Sequence, residues 1–268
     1  MKLLIRWLTT IGMSSLAMAA GSWFPAIALD LEEINLRLQE IPVFTVTDSD
    51  GSPIVANLEE QLYAGVFIYP QDAIAFRDSV IRDNPAFEGQ VKVTSASLEE
   101  IYALDRQQES LTAAEESIDF VYVPTSNQVN AAESLIPKDA DGKPKFALNG
   151  VPLFAVKVQS ASAIGEENNL AYITLPRTQT NAQGEQVEVG EFVPFFFSRE
   201  QAQALARQYD AVQTQQGNTD KTAVLEVHTL EILLNNWEDR SDPELAKIWL
   251  VPAPESVDYV RRETQSGS

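Results

Sequence analysis

The sequence predicts an α/β protein of two pseudo-symmetric halves. Each is a mixed sheet, built from an N-terminal hairpin plus βαβ-type units, with helices packed on it. Three observations predict this. Short apolar runs suited to strands alternate with helical segments along most of the chain. The stretch F-V-P-F-F-F-S-R-E-Q-A-Q-A-L at 192–205 joins a strand to a helix. Val66-Phe67-Ile68-Tyr69 followed by Pro70-Gln71-Asp72-Ala73-Ile74-Ala75-Phe76 repeats that join in the first half. Further pairs keep the same order: Ile41–Val46 with Val151–Val156, Ser97-Leu98-Glu99 with Thr229-Leu230-Glu231, and Val123-Pro124 with Val251-Pro252. Self-similarity in matched order marks a copied unit. Two long copies make a two-fold globule rather than a solenoid.

In chain order, Lys2 and Arg6 precede an uncharged run from Trp7 to Ala20, with small-x-small sites at Ala17-Met18-Ala19 and Ala26-Ile27-Ala28. Residues 1–28 therefore read as a secretory signal peptide, too short in its apolar run to span a membrane. Cleavage after Ala28 is favoured over Ala19 because Asp30 then caps a helix over Asp30–Leu38, with Glu33 in the reciprocal capping position. Pro42 opens a strand, Asp48-Ser49-Asp50-Gly51 is a hairpin turn, and Ser52–Ala56 returns. A helix from Gln71 ends before Asn84-Pro85. Gln90–Val93 is a strand, Ser97–Gln108 a helix, Leu111–Ser117 a second short helix, Phe120–Val123 a strand and Ser126–Leu135 a helix.

Pro137–Pro144 is the seam, and Asn149-Gly150 tightens the start of the second copy. The expected organisation is a first repeat over 29–136, a seam over 137–148, a second repeat over 149–264 and a frayed tail over 265–268 within Arg262–Ser268. In the second copy Ser160–Asn169 and Thr178–Gly184 read as exposed loops flanking Ala171–Leu175, and Gln213–Thr219 as another polar loop. The three phenylalanines 195–197 suit a strand covered on both faces. Ser198 then acts as N-cap with Gln201 completing a capping box, and Ser97 and Thr229 are hydroxyl N-caps of their helices.

The composition is 44% hydrophobic and 22% charged, ordinary for a globular chain. The charge is not ordinary: −20 overall, and −22 once residues 1–28 with Lys2 and Arg6 are removed. Such a surface repels nucleic acid and anionic lipid, whose recognition needs clustered cations. With no cysteine, the fold relies on its core in an oxidising compartment. After signal cleavage no segment is long and apolar enough to cross a membrane.

The chemistry-bearing residues are few. His228 is the single histidine, so no multi-histidine metal site can form, and at a strand-to-helix junction it is best read as a lone polar residue. Asp48-Ser49-Asp50-Gly51 and Asp139-Ala140-Asp141-Gly142 resemble the middle of a calcium loop. However, Val46 and Pro137 fall where the first ligand belongs, and Asn57 and Leu148 where the bidentate glutamate belongs, so both read as turns. The paired glutamates 32–33, 115–116 and 166–167 suit solvated faces better than a dyad across a cleft. No catalytic residue, cofactor site or metal site is expected.

What remains is apolar helix surface. The stripes Leu98, Ile101, Tyr102 and Leu230, Leu233, Leu234 are most simply core-facing. The sharper reading makes them walls of shallow grooves that bind a client polypeptide.

The segments Ile41–Gly51, Asn149–Phe154 and Phe195-Phe196-Phe197-Ser198-Arg199-Glu200 resemble those of the Tic-twenty-two-like family, the intermembrane-space subunit of the chloroplast protein-import translocon and its cyanobacterial periplasmic relatives. The resemblance spans nearly all of the expected mature chain. It implies two similar halves with apolar pockets on the sides of a sheet, and a soluble, non-enzymatic, chaperone-like factor without cofactor. Its partners would be precursor or outer-membrane polypeptides and an outer-membrane β-barrel assembly protein, in the periplasm or the thylakoid lumen. The alternative is a structural docking subunit of an envelope translocation complex. The long polar second hairpin, Gln159–Glu188, departs from the family pattern.

Overall fold

A computed structural model describes residues 29–59, 61–109, 117–160, 171–181, 184–218, 220–239 and 242–266. The expected signal peptide, the helix expected over 111–117 apart from Ser117, which is not helical, and the loop expected over 160–169 apart from Ser160, which ends a strand, lie outside the described residues. The first half runs α1 (Leu31–Leu38), β1 (Pro42–Asp48), β2 (Val55–Leu58), β3 (Gln61–Phe67), α2 (Pro70–Asp83), β4 (Val91–Ser97), α3 (Leu98–Glu109), β5 (Ile118–Val123) and α4 (Ser126–Leu135). The second runs β6 (Pro152–Ser160), β7 (Ala171–Tyr172), β8 (Leu175–Thr180), β9 (Gln186–Phe196), α5 (Arg199–Gln215), β10 (Lys221–Thr229), α6 (Leu230–Asp239), β11 (Ile248–Val251) and α7 (Pro254–Ser266).

The two sheets pair their strands alike. β1 is antiparallel to β4 and β3, and β3 is parallel to β5. β6 is antiparallel to β10 and β9, and β9 is parallel to β11. Even the registers correspond: Pro42 faces Ser97 as Pro152 faces Thr229, and Phe44 faces Phe67 as Phe154 faces Phe196. The mixed α/β class and the paired sheets are as the sequence predicts.

Strand alternation then divides the apolar residues. One face of each sheet (Val43 and Val66 from the first; Leu153, Ala155, Val193 and Phe195 from the second) meets α1, α3 and α6 in a shared central core. The opposite faces form two smaller clusters. Phe154, Val156 and Phe196 lie under Ala132, Ala202 and Ala206, whereas Phe44 and Phe67 lie under Ala73, Phe76 and Tyr259. Phe195, Phe196 and Phe197 are all at most 3% exposed, so the strand is covered on both sides as expected.

The outer clusters reveal a reciprocal exchange. α4, which ends the first half, packs beside α5 on the second sheet, while α7, which ends the second half, packs beside α2 on the first. The exchange explains why the expected capping box at Ser198 does not form. Gln128 of α4 accepts a hydrogen bond from the Arg199 backbone N–H at 2.9 Å and donates to Glu200 at 2.9 Å. The Ser198 hydroxyl donates to that same carboxylate at 2.8 Å, and Gln201 donates to the Pro252 carbonyl. A tertiary partner supplies the cap that a local hydroxyl was expected to supply. Across the molecule, Ser256 of α7 donates to the Ile68 carbonyl at 2.8 Å, and the Tyr69 hydroxyl donates to the Phe197 carbonyl, tying the two strand-to-helix junctions together.

Other expectations change locally. Thr178–Thr180 belong to β8, an exposed strand paired with β9, and Asn181 ties the end of the pair by accepting from the Glu185 N–H at 2.9 Å. α5 continues to Gln215, so the polar loop after it is shorter than 213–219. α7 is helical to Ser266 rather than frayed from Arg262. Asp48-Ser49-Asp50-Gly51 and Asp139-Ala140-Asp141-Gly142 are turns: in each the first aspartate accepts from two backbone N–H groups at 2.9 Å. Gly150 has φ +102°, and an added Cβ would lie 2.0 Å from the Glu231 carboxylate, which accepts from the Val151 N–H. Glycine is required there on both counts.

Candidate functional site

Where α1 ends and β1 begins, Gln39 and Glu40 bridge the helix to Pro42, which starts the strand with no N–H to satisfy. Beside this bridge runs β4, and α7 from the other half lies across it. The three enclose an open recess of about 370 Å³. Pro42, Ala96, Val257 and Val260 supply its apolar lining, and the carboxylates of Glu40 and Glu100 stand at it, with no lysine or arginine among the described lining residues. Ser97 and Glu100 form a reciprocal capping box, with Ser97 N–H to Glu100 at 2.8 Å and Glu100 N–H to the Ser97 hydroxyl at 3.1 Å, which fixes that carboxylate at the start of α3. Ser95 donates to Glu263 of α7 at 3.2 Å, adding a third carboxylate beside the recess.

The sequence-derived client-binding residues lie elsewhere. Leu98, Ile101, Tyr102, Leu230, Leu233 and Leu234 are 0–6% exposed and belong to the shared core. The stripes of α3 and α6 are closed against the inner sheet faces, so they form no open groove. Only the Tyr102 hydroxyl reaches the periphery, where it donates to Glu238, which also pairs with Arg106 at 2.6 Å. The crevice at the junction of the halves, lined by Tyr69, Pro124, Gln128 and Pro152, holds no space for water. The recess itself escapes sequence reasoning because a helix from the far end of the chain builds one wall.

A second polar group was also missed. His228 is the second-last residue of β10, opposite Leu153 and two residues before α6, so it stands at the strand-to-helix junction as expected but inside a paired strand. Glu226 and His228 share a strand face at a spacing of two, and that alternation was the available signal. Glu226 accepts from Lys157 at 2.7 Å, from Tyr172 at 2.6 Å and from His228 Nε2 at 2.8 Å. The His228 ring stacks on Phe195 with centroids 4.8 Å apart. Burial pushes the Glu226 carboxyl up, but the hydrogen bonds from His228, Lys157 and Tyr172 outweigh it and bring its pKa down to about 2. Burial and the hydrogen bond to Glu226 push the Tyr172 phenol up. A carboxylate held this firmly anionic is a poor proton acceptor, and the group is suited to tying β6, β7 and β10 together. Among the described residues no cluster of three or more histidine, aspartate or glutamate side chains is placed to hold a metal ion, and no helix is long and apolar enough to cross a membrane.

The chain is similar in structure to a protein described as Anabaena Tic22 (protein transport), with a TM-score of 0.66 at 22% identity over 87% of this chain and 97% of that one. It is also similar to Tic22 from Plasmodium falciparum, with a TM-score of 0.62 at 18% identity over 87% of this chain and 98% of that one. At these identities the likeness establishes the fold. Comparison with curated proteins gives no match. A profile of the Tic22-like family matches residues 9–262, nearly the whole chain, and on that match the chain belongs to the Tic22-like family.

Proposed function

We propose that this protein is a non-enzymatic, chaperone-like factor of the periplasm that assists protein transport or outer-membrane biogenesis by holding unfolded or precursor polypeptides. Family membership and the transport label of the Anabaena relative support the class of process. The observation that carries the reading is the open recess beside β4, whose mixed lining of apolar and acidic residues can hold a short polypeptide segment without tight locking. Recesses this shallow give weak, exchangeable binding, in the micromolar range or above. The net charge of −20 keeps a loaded complex soluble.

The test is to dilute a urea-unfolded outer-membrane β-barrel into buffer with excess purified protein and follow light scattering. Suppressed scattering is expected, and unchanged scattering at excess overturns the reading. A docking role on an envelope translocation complex is the second reading. It is favoured by the β8–β9 ribbon, which leaves Val187 and Val189 44% and 50% exposed. Pull-down of one stoichiometric envelope partner, with no affinity for unfolded barrel, would select it.

A further inference from the structure

The phase of the β1–β4 ladder is set by the Leu98 N–H donating to the Ile41 carbonyl at 2.7 Å. In the antiparallel register, residues 92, 94 and 96 therefore bond to β1, and 93 and 95 turn their N–H and C=O groups outward. Among the described residues β4 has no strand on that side. Among the described residues no partner occupies the outward main-chain groups of Val93 and Ser95. The corresponding edge of the second sheet is treated differently: the outward N–H of Ala223 in β10 is taken by Asp210 of α5 at 2.8 Å. The first sheet thus presents an open edge, and that edge runs into the recess described above.

Three carboxylates flank it from three helical elements: Glu40 after α1, Glu100 on α3 and Glu263 on α7. An extended segment seated on the edge would alternate its side chains between the Val257–Val260 wall and the opposite side of the sheet. We propose that the β4 edge takes up a polypeptide segment as an added strand, and that the segment it prefers is one carrying lysine or arginine between apolar residues. This rests on the polypeptide-holding reading above and supplies its binding mode and its charge preference. Main-chain pairing gives affinity without regard to sequence, as a factor with many clients needs, and the carboxylates add the selection.

The test uses a blocked seven-residue peptide alternating valine and lysine, titrated into the whole protein by calorimetry. Its glutamate counterpart and a form N-methylated on alternate amides serve as comparisons. The lysine peptide is expected to bind, and the other two to bind at least about tenfold more weakly. Ser95→Pro removes an outward donor without touching the ladder to β1 and is expected to cost a similar factor. Glu40→Gln with Glu100→Gln, which preserves the capping geometry, should weaken binding at low salt and flatten its salt dependence.

Equal binding of the N-methylated peptide overturns strand addition, even if Ser95→Pro fails to fold. No binding of the lysine peptide also overturns the proposal, as does indifference to the glutamine substitutions. A dimer by sedimentation that Ser95→Pro abolishes would assign the edge to a second copy instead. If Ser95→Pro suppresses barrel aggregation as wild type does, strand addition falls while the proposed function stands. If wild type fails to suppress it but binds the lysine peptide through Ser95, the reverse holds.

Discussion

Glu226 is the residue on which the inner corner of the second sheet converges. Its side chain is 34% exposed, so water screens the pair with Lys157, and losing the charge should cost about 1 kcal/mol near neutral pH. The sign of the pH dependence follows from the direction of the shift. A carboxyl whose folded pKa lies below the ordinary 4.5 stabilises the fold above that value and loses the contribution as pH falls towards about 2. Glu226→Gln is therefore expected to melt earlier than wild type at neutral pH. The two melting temperatures should converge between roughly pH 4.5 and 2, as thermal denaturation by circular dichroism would show. A gap that stays constant over that range would assign Glu226 no electrostatic role. The local sequence shows only the Glu226–His228 alternation of this network, because Lys157, Tyr172 and Glu226 come from three strands that only the sheet brings together.

At the scale of elements, the paired helices α3 and α6 begin at matched positions but are capped by different means. Ser97 and Glu100 satisfy each other's backbone donors, whereas Glu231 accepts from the Val151 N–H and the buried Thr229 hydroxyl has no partner among the described residues. Ser97→Ala should therefore cost about 1 kcal/mol, while Thr229→Val, which removes an unsatisfied hydroxyl at constant shape, should be neutral or stabilising. Chemical denaturation of the two variants checks the contrast, and equal losses would refute it. The sequence marks both positions as hydroxyl caps because Ser-Leu-Glu and Thr-Leu-Glu look alike. What separates them is a glutamate in reach of Ser97 on one side and, on the other, the tight Gly150 turn that brings the Val151 N–H to Glu231.

For the whole molecule, the exchanged helices decide whether the halves can stand alone. Residues 29–148 by themselves would keep α4 without the sheet it covers and would leave Phe44, now fully buried against Tyr259 of α7, open to water. Residues 149–268 would lack α4 over Phe154 and Phe196 and would carry α7 with nowhere to dock. Each fragment also loses part of the shared core, and stability is a small remainder of large opposing terms. Neither is expected to unfold cooperatively alone, and mixing the two should restore a cooperative transition. A sharp melt of the isolated first fragment would refute the expectation.

The internal repeat and the strand and helix order were legible from the sequence alone. Local periodicity, caps and turns are encoded within a few residues, and a copied unit repeats them. The helical stripes at 98–102 and 230–234 were visible too and most simply read as core-facing, which they are, but what covers them was not legible, since periodicity says that a face is apolar and not what packs on it. The packing of the halves, the exchange of α4 and α7, the recess beside β4 and the network at Glu226 depended on tertiary structure. Each joins residues from separate elements, in most cases more than fifty positions apart, and contact at that range is set by how the sheets and helices close on one another.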